Sequence, residues 1–290
     1  MTAPPILANF YKGLEYRNSV NRYLRLFRLG NGVMGILGVA IGAFIAVGMD
    51  LLDYWVNLVI SCFVVLSFMA GGNSLNDYID KELDKTAHPD RPLPMGEISP
   101  KAALNLGIVG LVLASLLSLF MMSFLVTGIV IIATLLMVSY ELFLKQRGFA
   151  GNIVIAVLTG MLFLFGGSIV DNIEGNIVIA AMAILVSIGR EIAKDIEDIE
   201  SDKESRKTLP MMIGIKNATI VASVFFIAGP ILSVYPLIAG TFGWLYCLVF
   251  VADAIFIYTA LIIFRKAHTA QKLAKTAMAI ALVAFILGVI

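Results

Sequence analysis

The sequence predicts an all-α integral membrane protein, with nine transmembrane helices arranged around a central cavity. Hydrophobic residues make up 60% of the 290 residues and charged residues only 14%, and the mean hydropathy is +0.94. A soluble domain is roughly half apolar and a quarter charged. The second observation is a series of apolar stretches long enough to cross a bilayer. The net charge of +1 gives no indication of nucleic-acid binding.

The N-terminal segment, residues 1–28, is predicted to be a cytoplasmic amphipathic element. Its aromatic residues, such as Phe10 and Phe27, are interspersed with basic residues such as Arg17 and Arg25. This pattern is typical of a helix lying in the membrane interface. Residues 29–290 are predicted to form a single transmembrane domain in contact with membrane lipids.

The apolar spans that follow can be placed by hydropathy. They lie at roughly 29–49, 54–75, 102–121, 124–139, 152–170, 176–190, 217–235, 241–264 and 273–290. Polar extensions at 140–144 and 190–198 are expected to continue two of these helices beyond the hydrocarbon.

The distribution of positive charge predicts the orientation of the chain. All 21 Lys and Arg residues fall in the N-terminal segment or in and beside the loops after the second, fourth, sixth and eighth spans. The positive-inside rule therefore predicts a multi-pass protein of the cell membrane, with the N-terminus and these loops in the cytoplasm.

Three aspartates cluster where the second span meets water. Asp77, Asp80 and Asp84 fall within eight residues, and a helix running through them places all three on one face. Because carboxylates on one face repel one another, the cluster favours binding of a divalent cation. Such a site is a candidate cradle for a metal-bound diphosphate.

The same spacing occurs a second time. Asp195, Asp198 and Asp202 follow the first cluster at a constant offset of 118 residues, and Leu93-Pro94 recurs as Leu209-Pro210. Four spans separate the two units, so both have the same orientation. The pattern predicts a parallel four-helix pseudo-repeat, with the two acidic groups facing each other across the cavity.

The chemistry of these groups suggests Mg²⁺ as the cofactor. Mg²⁺ prefers oxygen ligands and usually takes one or two carboxylates together with phosphates and water. Basic residues close to the two groups, among them Lys85, Arg91 and Lys194, are candidates for contacts with phosphate oxygens. The plain alternative is a set of solvated loop charges. The matched spacing of two groups on one membrane face favours a binding site.

The sequences of the two aspartate-containing segments resemble the signature motifs of the UbiA superfamily of intramembrane prenyltransferases. The first signature reads Asn76-Asp77-x-x-Asp80-x-x-x-Asp84, followed by Asp90-Arg91-Pro92-Leu93-Pro94-x-Gly96, and the second reads Arg190-Glu191-Ile192-x-Lys194-Asp195-Ile196-Glu197-Asp198-x-x-x-Asp202. The resemblance covers essentially the whole chain. Within the superfamily, the form of both signatures is most similar to the archaeal branch that makes ether lipids.

The resemblance implies transfer of a geranylgeranyl group from its diphosphate to geranylgeranylglyceryl phosphate, with Mg²⁺ assisting ionisation of the donor. The alternatives are a prenyltransferase with an aromatic, quinone or chlorin-type acceptor and, more remotely, a cation-coupled transporter. Asp77 and Asp198 are the implied catalytic carboxylates, and Asn73 the implied diphosphate contact. The implied metal ligands are Asp77, Asp80, Asp84, Glu191, Asp195, Asp198 and Asp202.

Further residues match the family less closely. Tyr140 and Lys145 are implied catalytic residues of a third signature, although their spacing is one residue longer than the family's, and an interfacial Tyr with a cytoplasmic Lys is the plain alternative. Arg28 and Asn31 are implied contacts of an acceptor phosphate, and Asn152 of the substrate. The role of Asp253, a carboxylate within the eighth span, stays open between a cavity contact and a pair with a neighbouring helix.

Overall fold

The computed structural model of the chain describes residues 21–202 and 206–290, and within these ranges the chain forms helices and no β-strand. An isolated bridge joins Arg147 and Lys207. The long helices are α1 (Leu29–Val47), α2 (Trp55–Ile79), α3 (Pro100–Leu119), α4 (Phe124–Ser139), α5 (Phe149–Ser168), α6 (Glu174–Glu197), α7 (Ile215–Ser233), α8 (Val249–Ile262) and α9 (Ala267–Val289).

The part of the chain that the structure describes contains 8 segments long and apolar enough to cross a membrane. The first of them, Leu29–Ile79, comprises α1, a 3₁₀ turn at Gly48–Tyr54 and α2. Most of the predicted spans agree with the helices to within a few residues. The last two differ more, because α8 begins at Val249 rather than near 241 and α9 begins at Ala267 rather than near 273. The two predicted extensions also form, one as a π-helical turn at Tyr140–Leu144 and the other as the end of α6.

The helices pack as successive neighbours, with α2 against α3, α5 against α1 and α6, and α6 against α7. Helices α8 and α9 complete the arrangement beside α7 and α6. Most of α4 stays apolar and outward-facing, since only Val126 and Val130 of its residues are buried. A helix that is apolar all round and still exposed fits a lipid surrounding.

Two helix starts are set by serine caps. Ser99 accepts a hydrogen bond from the Ala102 backbone N–H, with Pro100 in the first position of α3. Ser123 accepts one from the Val126 N–H at the start of α4. Serine caps satisfy N–H groups that have no partner within the helix, and proline is favoured in the first helical position. These local signals fix where α3 and α4 begin.

The acidic helix ends differ from the continuous helix expected over the first three aspartates. Helix α2 ends at Ile79, Asp80 is its C-cap, and a separate helical turn follows at Asp84–Ala87. The Asp84 N–H nevertheless donates to the Asp80 carbonyl at 2.8 Å, which keeps the helical spacing between the two. The break follows from the carboxylates themselves, because Asp is a poor helix former and like charges one turn apart repel.

The end of α6 repeats this geometry. Asp80 has φ −82° and ψ 4°, and Asp198, the C-cap of α6, has φ −89° and ψ 8°. A short helix, Ile199–Asp202, follows Asp198 as Asp84–Ala87 follows Asp80. The local match agrees with the pseudo-repeat, which as a relation between whole four-helix units stays a prediction.

The N-terminal segment is described only from residue 21. Residues 21–27 are helical, and Arg28 turns the chain into α1 with φ 49° and ψ 59°. A positive φ is uncommon for a residue with a side chain. The predicted amphipathic helix over residues 1–20 lies outside the described part of the chain.

Helices α2 and α3 cross at a contact of two glycines. A Cβ on Gly71 would lie 2.6 Å from the Leu111 backbone N and 2.9 Å from the Gly110 carbonyl carbon. Small residues at such crossings let helix backbones approach closely. The side of α2 opposite the lipid is therefore held at a fixed distance from α3.

We expect Gly71→Ala to lower the free energy of unfolding by about 1–3 kcal/mol, because the added methyl group forces the two backbones apart. Thermal unfolding in detergent measures the effect. Gly128→Ala on α4 is the matched control, since a Cβ there meets nothing within 4 Å. Equal stability of the two variants would show that the crossing tolerates separation.

Candidate active site

The first acidic group is held by two arginines. Arg28 Nη2 lies 2.6 Å from Asp77 Oδ1, and Arg91 Nη1 lies 2.6 Å from Asp84 Oδ2 and 3.5 Å from Asp77 Oδ1. The Asp77 side chain is 2% exposed, whereas the arginines are 31% and 24% exposed. A buried carboxylate requires such partners. Both guanidinium groups are thus anchored on one side and accessible on the other.

Polar contacts join α2 to the N-terminal segment. Asn73 donates from its amide to the Phe27 carbonyl at 2.9 Å, and Arg28 donates to the Asn76 side-chain oxygen at 3.2 Å. Arg25 pairs with Glu97 at 3.2 Å and also donates to the Asp90 carbonyl, in the loop that carries Arg91. These contacts place Arg28 and Arg91 over the end of α2.

The π-helical turn at Tyr140–Leu144 accounts for the extra residue between Tyr140 and Lys145. The Lys145 N–H donates to the Tyr140 carbonyl at 2.9 Å, five residues back. A π-turn absorbs one inserted residue and is frequent at functional sites. It directs Lys145 to Asp80, with which the ammonium group pairs, and to Glu141 at 3.3 Å.

The second acidic group lies at the end of α6. Asn152 Nδ2 donates to Asp195 Oδ2 at 2.8 Å, and both residues are buried. Glu191 pairs with Arg190 through Nη2. Asp198 is partly exposed, and its N–H donates to the Lys194 carbonyl at 2.9 Å. The side chain of Asp202 lies outside the described part of the structure.

A small polar cavity brings the two groups together. Its volume is about 20 Å³, enough for one water-sized group. Lys145, which pairs with Asp80 of the first group, lines this cavity together with Glu191 and Asp195 of the second. Both acidic groups therefore lie at the same end of the bundle. The cavity is lined by Tyr140, Lys145, Gly148, Gly151, Asn152, Ile155, Glu191, Lys194, Asp195, Arg206 and Thr208.

A larger apolar cavity adjoins the polar one. It has a volume of about 230 Å³ and lies between α2, α4 and α5. Ile155 lines both cavities. A charged cavity and an apolar cavity thus lie next to each other, an arrangement that suits an amphiphile with an anionic head. The apolar lining consists of Val64, Val65, Phe68, Met69, Ile129, Val130, Ala133, Met137, Ile155, Leu158, Thr159, Met161, Leu162 and Phe165.

Two predicted contacts are not brought into this arrangement. The Lys85 side chain is 61% exposed and pairs with Glu82 at 2.6 Å, and its hydrogen bond lowers the pKa of Glu82. Lys85 is therefore an exposed loop cation in this structure, and its contact with a phosphate stays a prediction. Asn31 is exposed on the first turn of α1, near Arg28 in sequence but lining neither cavity.

The structure also decides between the alternatives for Asp253. Its Oδ2 lies 2.7 Å from the Ser233 hydroxyl of α7, and the side chain lines neither of the two cavities. Asp253 is thus a pair with a neighbouring helix.

Sequence reasoning missed two residues of the polar region. Glu141 is 5% exposed and accepts hydrogen bonds from Asn76 and Lys145. Its signal was available, because an ionisable residue beside an apolar span is functional by default. Thr208 is 3% exposed, lines the polar cavity and has no partner for its hydroxyl among the described residues. No sequence pattern distinguished it.

The described side chains of the two acidic groups are of the type that Mg²⁺ prefers, but they lie too far apart to enclose the ion without other ligands. Carboxylates and amides are the oxygen ligands that Mg²⁺ prefers. Among the described residues, however, no group of three or more His, Cys, Asp or Glu lies close enough to hold a metal ion. Each cluster can supply one or two carboxylates, so the residues fit Mg²⁺ whose coordination is completed by substrate phosphate and water rather than an all-protein cage.

The fold and site together define a multi-pass membrane protein with a polar cavity beside an apolar one. The model of the UbiA prenyltransferase family matches residues 36–288, and the chain belongs to this family. It is a prenyltransferase.

Relatives with curated names share most of the chain. The digeranylgeranylglyceryl phosphate synthase of Thermococcus kodakarensis is 39% identical over 267 residues, which cover 89% of this chain and 92% of that protein. The synthase of the same name from Methanosphaera stadtmanae is 35% identical over 276 residues, covering 93% and 99%.

Solved structures give the same picture of the fold. A structure described in work on digeranylgeranylglyceryl phosphate synthase in membranes matches with a TM-score of 0.81 and 33% identity, over 94% of this chain and 99% of that one. A UbiA homolog from Archaeoglobus fulgidus bound to GPP and Mg²⁺ matches with a TM-score of 0.70 over 92% and 98%. At 19% identity, it supports the fold alone.

Proposed function

We propose that this protein transfers a geranylgeranyl group from geranylgeranyl diphosphate to geranylgeranylglyceryl phosphate. The observation that carries the proposal is a polar cavity and an apolar cavity that both contact Ile155. The relatives named digeranylgeranylglyceryl phosphate synthase support the choice of acceptor, because they match nearly the full length of the chain at up to 39% identity.

The donor binds with its tail in the apolar cavity and its diphosphate at the polar one, which must widen to admit it because its present volume of about 20 Å³ holds one water-sized group. Lys145 and Lys194 contact phosphate oxygens from the two halves of the site, and Tyr140 and Asn152 line the space between them. The apolar side chains of α2, α4 and α5 surround the isoprenoid and exclude water from the allylic carbon. Burial of the tail supplies binding energy at about 25 cal/mol per Å² of apolar surface.

The acceptor phosphate binds at Arg28 and Arg91. Both guanidinium groups are fixed by Asp77 on one side and partly exposed on the other, so each can bind a phosphate in bidentate fashion. An aromatic acceptor would have no use for this second basic site. Asn31, exposed in the first turn of α1 three residues after Arg28, remains a further candidate contact of this phosphate.

In the reaction, the bond between the allylic carbon and diphosphate breaks, and its electron pair leaves with diphosphate. The acceptor hydroxyl oxygen forms the new ether bond and releases its proton. Mg²⁺, when bound, neutralises the charge that develops on the leaving group. The carboxylates Asp77, Asp80, Asp84, Glu191, Asp195, Asp198 and Asp202 are the residues that would hold it. Lys145 stabilises the same charge by direct contact, an effect that is largest in a site without water.

The membrane arrangement that accompanies this function is also proposed. Helices α1 to α9 each cross the bilayer, with α1 and α2 as separate spans on either side of the turn at Gly48–Tyr54. The positive-inside rule predicts that the acidic helix ends and the N-terminus lie in the cytoplasm. On that side Mg²⁺ is available and the diphosphate product can leave into water. A cation-coupled transporter is disfavoured, because both acidic groups lie at helix ends rather than at the midplane.

A product assay tests the proposal. Detergent-purified protein receives geranylgeranyl diphosphate and Mg²⁺, with geranylgeranylglyceryl phosphate and a hydroxybenzoate as competing acceptors. We expect prenylation of the glyceryl phosphate and release of one diphosphate per ether bond, both lost when EDTA is added. Prenylation of the aromatic ring would contradict the acceptor. No diphosphate release with either acceptor would contradict the proposed reaction, and cation-dependent flux in proteoliposomes would then favour a transporter.

A further inference from the structure

Glu141 lies at the centre of the hydrogen bonds that connect the basic residues of the first half. Its side chain is 2% exposed and lies 3.3 Å from Lys145 Nζ. The Asn76 amide donates to both of its carboxylate oxygens, at 3.0 and 3.2 Å. Removing a carboxylate from water costs free energy even when it has three contacts of this kind. A role for the buried charge of Glu141 would account for that cost.

The network continues from Glu141 in two directions. Through Asn76 it reaches Arg28, whose Nη2 lies 3.2 Å from the Asn76 side-chain oxygen and 2.6 Å from Asp77. Through Lys145 it reaches Asp80. Fixing one Asn76 nitrogen on Glu141 also fixes the amide orientation, because its oxygen must then face Arg28.

Lys145 occupies a special place in this network. It pairs with Asp80 and Glu141 of the first half and lines the polar cavity with Glu191 and Asp195 of the second. A flexible lysine without a second anchor has many rotamers available, and fixing one costs up to about 2 kcal/mol. Glu141 supplies that anchor from four residues back, within the π-helical turn.

We propose that Glu141 is a positioning residue that holds Lys145 at the polar cavity, so that the ammonium group can move from Asp80 to the donor diphosphate without leaving the site. This inference rests on the proposed function. Glu141 itself lines neither of the two cavities and touches no substrate in this arrangement. Its effect on the reaction therefore passes through Lys145.

A double-mutant cycle tests the inference. Glu141→Gln keeps the shape and the acceptor for Asn76 but removes the charge that holds Lys145, and we expect kcat to fall about 10- to 100-fold with a smaller change in KM for the donor. Lys145→Met removes the partner. In that background, Glu141→Gln should change kcat less than about twofold, because interacting residues are not additive.

Controls separate positioning from a purely structural role. Glu82→Gln neutralises an exposed carboxylate paired with Lys85 and should leave kcat unchanged. Glu141→Asp keeps the charge but withdraws it by one carbon, so an intermediate loss is expected, again abolished by Lys145→Met. An equal loss from Glu141→Gln in both backgrounds, or no loss in either, would overturn the inference.

A second readout keeps the inference separable from the proposed reaction. The rise in thermal stability caused by inorganic diphosphate and Mg²⁺ reports binding without catalysis. We expect Glu141→Gln to reduce this rise in the wild-type background and not in Lys145→Met. An inactive wild type that still shows this coupling would refute the reaction alone, whereas an active wild type without it would refute the role of Glu141.

Discussion

Replacing Asp77 by Ala is expected to lower kcat by at least about 10³-fold, the scale seen when a preorganised charge at a reaction centre is removed. Asp77 is 1% exposed and is the common partner of Arg28 and Arg91. Its loss removes a predicted metal ligand and leaves two guanidinium groups without their shared anchor. We therefore expect binding and chemistry of both substrates to depend on this carboxylate.

The measurement is single-turnover release of diphosphate from geranylgeranyl diphosphate in the presence of Mg²⁺. Glu82→Ala provides the control, because it removes an exposed carboxylate from the same segment and should retain full activity. Asp198→Ala should cause a loss comparable with Asp77→Ala if the two acidic groups serve one diphosphate. Activity within tenfold of wild type in Asp77→Ala would show that the first acidic group is structural only.

Replacing Ala133 by Phe is expected to impair use of the long donor selectively. Ala133 lines the apolar cavity about one helical turn before Met137, so it lies about 5.4 Å further from the π-helical turn than Met137 does. A benzyl group there fills space that a twenty-carbon tail requires and that a five-carbon tail does not reach. We expect kcat/KM for geranylgeranyl diphosphate to fall about 100-fold, while that for dimethylallyl diphosphate changes less than threefold, since such pockets discriminate by 1–3 kcal/mol.

The comparison of the two donors in one variant is itself an internal control. Ile132→Phe adds bulk at the neighbouring position of α4, which is 53% exposed and outside the cavity, and should affect neither donor. An equal loss for both donors in Ala133→Phe would indicate general damage to α4. Unchanged use of the long donor would place the tail elsewhere.

Much of this protein could be predicted before any tertiary structure. The bounds of the helices followed from hydropathy, because a span in lipid must be apolar along its whole length and satisfy its own backbone hydrogen bonds. The two acidic groups were recognisable because ionisable residues at such spans are rare and costly. The constant offset between Asp77 and Asp195 then pointed to two related halves.

Other features depended on contacts that no local pattern encodes. Lys85 and Lys145 each follow a glutamate by three or four residues. Lys85 pairs with its glutamate at the surface, whereas Lys145 also pairs inward with Asp80. The π-helical turn decides the direction of Lys145, since it shifts every later residue around the helix axis. Hydropathy could not reveal the turn, because Tyr140–Leu144 is apolar enough to continue α4 in either form.

The sequence by itself determined the membrane class, the family and the identity of the charged residues, because these follow from composition and from motifs contiguous in the chain. The tertiary structure decided which charges meet. Asp77 pairs with Arg28 and Arg91, which are distant from it in the chain or in another segment. Glu141 contacts Asn76 of another helix, and Ile155 lines both cavities together with residues from several helices. Such contacts are set by the packing of α2, α4, α5 and α6 against one another, and packing depends on the whole chain at once.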